Sequence, residues 1–322
     1  MRLLLILLGL AVVLVLAWWF APREPVDVRV DPVVLSDDLD GYLAAREATV
    51  PDLKPEAAKT ILWAGASGAR TDIAIVYLHG FSATSAEIRP VPNAVAEALG
   101  ANLYFARLAG HGRDGAAMAE PVAGNWVADL AEAMAIGRQL GDRVVVMGTS
   151  TGGTLAGMLA ADPALADLRE GLAGVIFVSP NFRLANPMAR LLSWPYARVW
   201  VPWVAGETRS FTPQNPGHAR SWTTEYPTVA TVPLQALIDR TAGLDFGAAA
   251  VPALFWFSPD DAVVDARVTE TVAAAWGGPV EVVRVEVEAG DDPARHVIAG
   301  DILSPAGTAP AIRAMGDWIA GL

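Results

Sequence analysis

Val144-Val145-Val146-Met147-Gly148-Thr149-Ser150-Thr151-Gly152-Gly153-Thr154 is the stretch whose reading decides how this chain folds. Its four leading residues are apolar and three of them are β-branched, which predicts a strand covered on both faces. Residues 154–161 then carry helical spacing. Between the two lies G-x-S-x-G, Gly148 to Gly152. There the glycines permit a tight strand-to-helix turn that holds the Ser150 hydroxyl out above a sheet. The bare motif is weak, because a chain rich in glycine and serine produces it by accident; its place between a strand and a helix gives it weight. The plainer reading is a compact turn with no chemistry.

Working outward, short apolar runs recur at 73–78, 103–106, 175–178, 253–257 and 280–287. Most are continuous rather than alternating, as expected of strands buried on both faces. Segments with helical spacing separate them. Residues 125–140 place Trp126, Leu130, Met134 and Gly137 on one face behind Asn125 as N-cap, and residues 309–322 repeat Ile312, Met315, Ile319 and Leu322. The alternation predicts an α/β fold, a mainly parallel sheet flanked by helices. Residues 183–232 break it. They show no strand signal, yet hold Pro187, Pro195, Pro202, Pro213, Pro216 and Pro227 and four of the eleven tryptophans, Trp194, Trp200, Trp203 and Trp222. Following directly on a strand end, where open parallel sheets bind ligands, such an insertion predicts a cap or lid over a pocket. A helical excursion packed against the body is the bland alternative.

Composition narrows the chemistry. Of 322 residues 53% are hydrophobic and 18% charged, against about 25% charged in an average globular chain, so a sizeable core can form. The absence of cysteine excludes disulfide scaffolds, thiolate metal sites, iron–sulfur clusters and thiol nucleophiles. The two lysines, Lys54 and Lys59, lie upstream of the alternating pattern, which disfavours Schiff-base chemistry. A net charge of -12 argues against nucleic acid as a partner.

Residues 3–20 are apolar or glycine and follow Arg2. At 1.5 Å per residue such a run reaches roughly 27 Å, close to the hydrocarbon thickness of a bilayer. Arg2 on the short side holds the N-terminus in the cytoplasm and sends the remainder across. The run ends in Trp18-Trp19-Phe20, which suits an interfacial belt better than a cleavage site. The expectation is a signal anchor over 1–22 with the folded part on the periplasmic or extracellular side; a cleaved signal that releases a secreted protein and a buried helix are the alternatives. Domain organisation follows: a tether and short helix over 23–60, a core over 61–182 and 233–322, and the cap over 183–232.

A serine hydroxyl needs a base, and the base needs an orienting group. Four histidines are available. His79 and His111 follow strands and suit loop-shaping; His218 lies in the insertion. His296 stands on the loop after the last strand, at the correct sheet edge, and is the expected base. The acid is expected between serine and histidine, after strand 253–257, where Asp260, Asp261 and Asp265 compete. Asp261, just ahead of Val263-Val264, is the choice and Asp260 the closest rival. Two backbone amides suffice for an oxyanion: Thr151, immediately after the nucleophile, and Phe81, in the loop His79-Gly80-Phe81-Ser82.

His79-Gly80-Phe81, the Gly148-to-Gly152 elbow, the Asp261 turn and His296 together resemble the α/β-hydrolase superfamily. Leu108-Ala109-Gly110-His111-Gly112 is similar to a loop in its monoglyceride-lipase and serine-aminopeptidase-like branch, with alanine where that loop usually has proline. The resemblance spans roughly residues 73–322. It implies the Ser, Asp, His chain order found here, a cap inserted after the sixth strand, hydrolysis of carboxylic esters, and no metal or organic cofactor. The expectation is a membrane-tethered serine ester hydrolase, a carboxylesterase or monoacylglycerol-lipase-like enzyme acting on an ester or lipid substrate. A serine aminopeptidase or amidase, an acyltransferase, and a noncatalytic binding protein on a retired hydrolase fold are the alternatives.

Overall fold

Residues 71–78 and 141–149 pair in register as β2 (Thr71–Leu78) and β4 (Gly141–Thr149), with Leu78 opposite Gly148, and every strand end that matters follows from this pairing. Around them lie β1 (Thr60–Leu62), β3 (Asn102–Phe105), β5 (Leu172–Val178), β8 (Ala253–Phe257) and β9 (Val280–Arg284), in the order β1-β3-β2-β4-β5-β8-β9. Only β1 runs antiparallel to its neighbour. The C-terminal ends of the other six therefore share one edge. The computed structural model describes Gly9, Val15, Leu16 and residues 18–322. The rest of the apolar run 3–20, expected to cross a membrane, lies outside the described residues, among which no helix is long and apolar enough to do so.

The apolar runs are continuous because successive side chains enter two different cores. Val76, Leu78, Val144, Val146, Phe177 and Phe255 point to one side of the sheet, with Trp126, Leu130, Met134, Leu155 and Leu159. Ile75, Tyr77, Val145, Met147, Ile176 and Leu254 point to the other, with Val91, Val95, Met315 and Ile319. The first side is covered by α3 (Ala123–Leu140), α4 (Thr151–Ala161), α7 (Thr231–Ala242) and α8 (Ala266–Ala275); the second by α2 (Val91–Leu99) and α9 (Pro305–Ala320). Trp126 is fully buried, and truncating a side chain of that kind typically costs about 3–5 kcal/mol.

Several boundaries differ from the sequence expectation. Asn125 is not the N-cap: α3 begins two residues earlier, and the Asn125 carboxamide oxygen accepts the Val122 N–H from inside the first turn. The strand expected over 280–287 stops at Arg284, because Phe257 ends its neighbour β8 and offers a last carbonyl to the Val285 N–H. The last helix starts at Pro305, since proline is tolerated in a first turn where its missing N–H has no partner to lose. The segment over 183–232 does contain strands: β6 (Thr208–Ser210) and β7 (Glu225–Pro227) pair antiparallel. At three residues each, Thr-Arg-Ser and Glu-Tyr-Pro, the strands are too short to show an alternation.

That segment, expected as a cap, follows β5, the fifth strand along the chain rather than a sixth; it also holds α5 (Ala197–Ala205) and α6 (Pro216–Ser221) and touches the loop after β2. The Thr223 N–H donates to the Ser82 carbonyl at 2.7 Å and the Tyr226 ring packs edge-on against Phe81 at 5.3 Å. Upstream, residues 22–30 form a strap rather than a free leash. The Pro22 carbonyl accepts the Tyr196 N–H, and the Glu24 carboxylate accepts Arg198 Nε–H and Nη2–H along one guanidinium edge, both at 2.7 Å. Val26, Val28 and Val30 pack on the first core. Helix α1 (Leu39–Glu47) then supplies Glu47 to Arg107 through two buried hydrogen bonds of 2.7 and 2.8 Å. Lys59 joins Glu132 and Asp129 in the same buried network, and Asp129 accepts the Ala109 N–H. These charges are paired, as burial requires, and they hold the Leu108–Gly112 loop from below.

Candidate active site

Ser150 occupies the turn between β4 and α4 with φ 51° and ψ -111°, a left-handed conformation that a non-glycine residue adopts only under constraint. The glycines beside it explain how. A Cβ on Gly152 would overlap the Leu78 carbonyl, and one on Gly148 would meet the Gly152 backbone, so only hydrogen lets strand and helix close this tightly. The Ser150 N–H donates to the Val178 carbonyl at 2.9 Å, fixing the turn on β5.

The geometry brings three of the expected side chains together. His296 Nε2 lies 3.0 Å from Ser150 Oγ, and His296 Nδ1 lies 2.7 Å from Asp261 Oδ2. Ser150 and His296 are buried, and the Asp261 carboxylate is inaccessible. Asp261 Oδ1 accepts the Val263 and Val264 N–H groups at 2.8 and 2.9 Å, which leaves Oδ2 for the imidazole. Asp260 is different: its side chain is 72% exposed and faces Arg295 at 3.5 Å. Burial pushes the His296 imidazole down, but the charge and hydrogen bond of Asp261, with Glu87 and Asp292 adding, hold it above the ordinary range.

Phe81 and Thr151 flank this array at the ends of β2 and β4. Their N–H groups donate to no backbone carbonyl among the described residues. Thr151 opens α4, where N–H groups have no partner within the helix and the helix dipole favours negative charge. The other histidines stand apart. His79 is fully buried, with Nδ1 2.8 Å from the Gly80 carbonyl and Nε2 accepting the Leu108 N–H at 3.1 Å. His111 packs between His79, Phe81 and Trp126, and burial pushes its imidazole down to about 4, so it is neutral. His218 accepts the Gln214 N–H within the cap.

Sequence reasoning does not single out two buried carboxylates at the site. Asp292 accepts the N–H groups of Ala294, His296 and Val297 at 3.0–3.1 Å and the Gln214 side chain at 3.1 Å, so it folds the histidine loop and ties it to the cap. Its only signal is an acid preceding Pro293, a common turn opener. Glu87 accepts the Gly80 N–H at 2.7 Å; nothing in the pattern around it sets it apart from a surface acid. A cavity of about 500 Å³, lined in part by Arg113, Trp222, Thr223, Glu225 and Tyr226, opens beside the cap and reaches the Phe81 loop through Tyr226 rather than Ser150. Among the described residues no cluster of three or more His, Asp and Glu side chains is arranged to hold a metal ion.

Comparison with known proteins extends the geometry. Residues 69–285, more than half of the chain, match the family model described as serine aminopeptidase, S33. No curated protein matches. Among solved structures, one of the metagenome-derived lipolytic enzymes LipS and LipT superposes with a TM-score of 0.64 at 20% identity, over 84% of this chain and all of that one. Monoglyceride lipase from Saccharomyces cerevisiae gives 0.57 at 13% identity, over 82% and 90% of the two chains. Monoacylglycerol lipase from Paleococcus ferrophilus gives 0.56 at 13% identity, over 82% and 98%. At these identities the likeness is one of fold.

Proposed function

Because the chain belongs to the serine aminopeptidase (S33) family of α/β-hydrolases and is a hydrolase, we propose that it cleaves carboxylic esters by a Ser150–His296–Asp261 triad through an acyl-enzyme. The observation that carries this reading is the unbroken succession of Oγ, imidazole and carboxylate at 3.0 and 2.7 Å. His296 Nε2 takes the Ser150 proton as Oγ attacks the ester carbonyl. The oxyanion that forms is met by the Phe81 and Thr151 amides, while Asp261 faces the new imidazolium. The imidazolium then gives its proton to the departing alkoxide and the alcohol leaves. In the second half His296 takes a proton from water, the hydroxide attacks the acyl carbon, and the proton returns to Ser150 as the acid departs.

The exposed apolar surface of the cap supports an apolar substrate such as a lipid monoester. Met188, Trp194, Tyr196, Val199, Trp203 and Val204 are exposed there, Trp203 by 89%, and the chain enters at the same place, with Trp18 edge-on to Trp194 at 5.1 Å. The lipases among the solved structures share this cast of fold and favour the same substrate class. An apolar run that long, with Arg2 before it and Trp18-Trp19-Phe20 at its end, supports a membrane anchor with the hydrolase outside the cytoplasm. The family description supports a second reading, hydrolysis of aminoacyl amides.

A fluorophosphonate probe tests the nucleophile. It should label the full-length protein and leave folded Ser150→Ala unlabelled; equal labelling of both would overturn the assignment. A panel of p-nitrophenyl esters, monoacylglycerols and aminoacyl anilides, run on the labelled enzyme, separates ester from amide turnover.

A further inference from the structure

Glu87 is a carboxylic acid placed where a neutral side chain would be cheaper. It lies on the loop between β2 and α2, 2% exposed. Its Oε2 accepts the Gly80 N–H at 2.7 Å and lies 3.1 Å from the Tyr77 hydroxyl, which is 3.0 Å from Thr149 Oγ1. One set of protons satisfies the chain: Thr149 donates to Tyr77, and Tyr77 donates to Glu87. The two ends of this chain are informative. Gly80 immediately precedes Phe81, and Thr149 immediately precedes Ser150. Gly80 stands between the two side chains: Glu87 Oε1 and Ser150 Cβ come within 2.6 and 3.1 Å of the point where a Gly80 Cβ would stand.

We propose that Glu87 is a positioning residue of the hydrolytic site, fastening the oxyanion loop to the nucleophile strand and presenting a second negative charge to the His296 imidazolium. This rests on the ester-hydrolase reading above. A hydrogen-bond acceptor for Gly80 could have been neutral, and burying a carboxylate without a cationic partner is costly. Burial does push the Glu87 carboxyl up to about 7, while the Gly80 N–H, a positive charge on His296 and the Tyr77 hydroxyl draw it back. Among the charged groups that bear on it, Tyr77 comes from β2 and His296 from the loop after β9; Arg89 acts through Tyr77, and Asp261 and Asp292 face the same imidazole. Each proton that His296 accepts from Ser150 thus favours the ionised Glu87, and the ionised Glu87 favours the protonated His296. The charge favours the imidazolium at the step where the Ser150 proton reaches His296.

The test compares wild type, Glu87→Gln and Glu87→Ala in the full-length protein, with kcat and KM for a short p-nitrophenyl ester measured from about pH 5.5 to pH 9. Thermal unfolding confirms that each variant is folded. Glutamine keeps an oxygen for the Gly80 N–H and removes only the charge, so its kcat relative to wild type should be near one at the acid end and fall roughly tenfold at the alkaline end. Alanine releases the loop, and kcat should drop roughly 10–100-fold at every pH, with KM within about twofold. A structural role alone would give a Gln-to-wild-type ratio that does not change with pH; a flat ratio, or a loss confined to KM, overturns the proposal. Failure of the fluorophosphonate to label wild type would overturn the hydrolase reading instead, so the two failures are distinguishable.

Discussion

Replacing Asp261 by asparagine changes one atom and should nearly abolish activity. The reason lies in the other oxygen. Asp261 Oδ1 is held by the Val263 and Val264 N–H groups at 2.8 and 2.9 Å, and only an acceptor can stand there. An asparagine must therefore keep its carbonyl on the turn and aim its NH₂ at His296 Nδ1. Nδ1 then becomes an acceptor, the ring proton moves to Nε2, and Nε2 donates to Ser150 Oγ across the present 3.0 Å instead of accepting from it. The base is lost although every heavy atom stays in place. The expected loss is roughly 10³–10⁴-fold in kcat, about 4–5.5 kcal/mol of barrier, with KM within about twofold. The assay is steady-state hydrolysis of a p-nitrophenyl ester beside Asp260→Asn, whose exposed side chain predicts a change under about twofold. Retention of more than a tenth of wild-type kcat by Asp261→Asn, or a collapse of Asp260→Asn in its place, would refute the reasoning.

Two further outcomes concern the loop after β9, which carries Asp292 and His296. Because His296 is held above the ordinary imidazole range, its base form is lost at a correspondingly higher pH: kcat/KM should fall about tenfold per pH unit on the acid side, with a midpoint above that of a free imidazole. A pH–rate profile with a midpoint below about 6 would contradict this. Asp292→Ala removes the acceptor of three backbone N–H groups, two of them buried, and of the Gln214 side chain, and should lower unfolding free energy by about 2–5 kcal/mol in denaturant titration; an unchanged midpoint would show that the histidine loop is held by other contacts.

The parts of this molecule that can be read from sequence are those where one local pattern has one physical solution. Continuous Val/Ile/Leu runs admit few placements other than a doubly covered strand, and a serine between glycines at a strand end admits few turns. The position of His296 is readable for a poorer reason, since only four histidines compete. Asp261 and Asp260 differ by one step along the chain, yet one side chain is inaccessible and the other 72% exposed; that contrast depends on which way the turn rotates, and no residue type records it. Glu87 and Asp292 are hidden for the same reason: an acid is an ordinary surface residue until a distant backbone N–H is folded against it. The strands β6 and β7 escape notice because three residues cannot express a period.

The strap has a mechanical meaning. A free segment the size of residues 22–30 would let its ends wander by roughly 15–20 Å. Riveted instead at Pro22, Glu24 and the three valines, it carries direction as well as position, and residues 22–30 move with the folded body. Its rivets at Tyr196 and Arg198 lie in the cap itself. Loosening the strap would therefore free Tyr196 and Arg198 of their partners first.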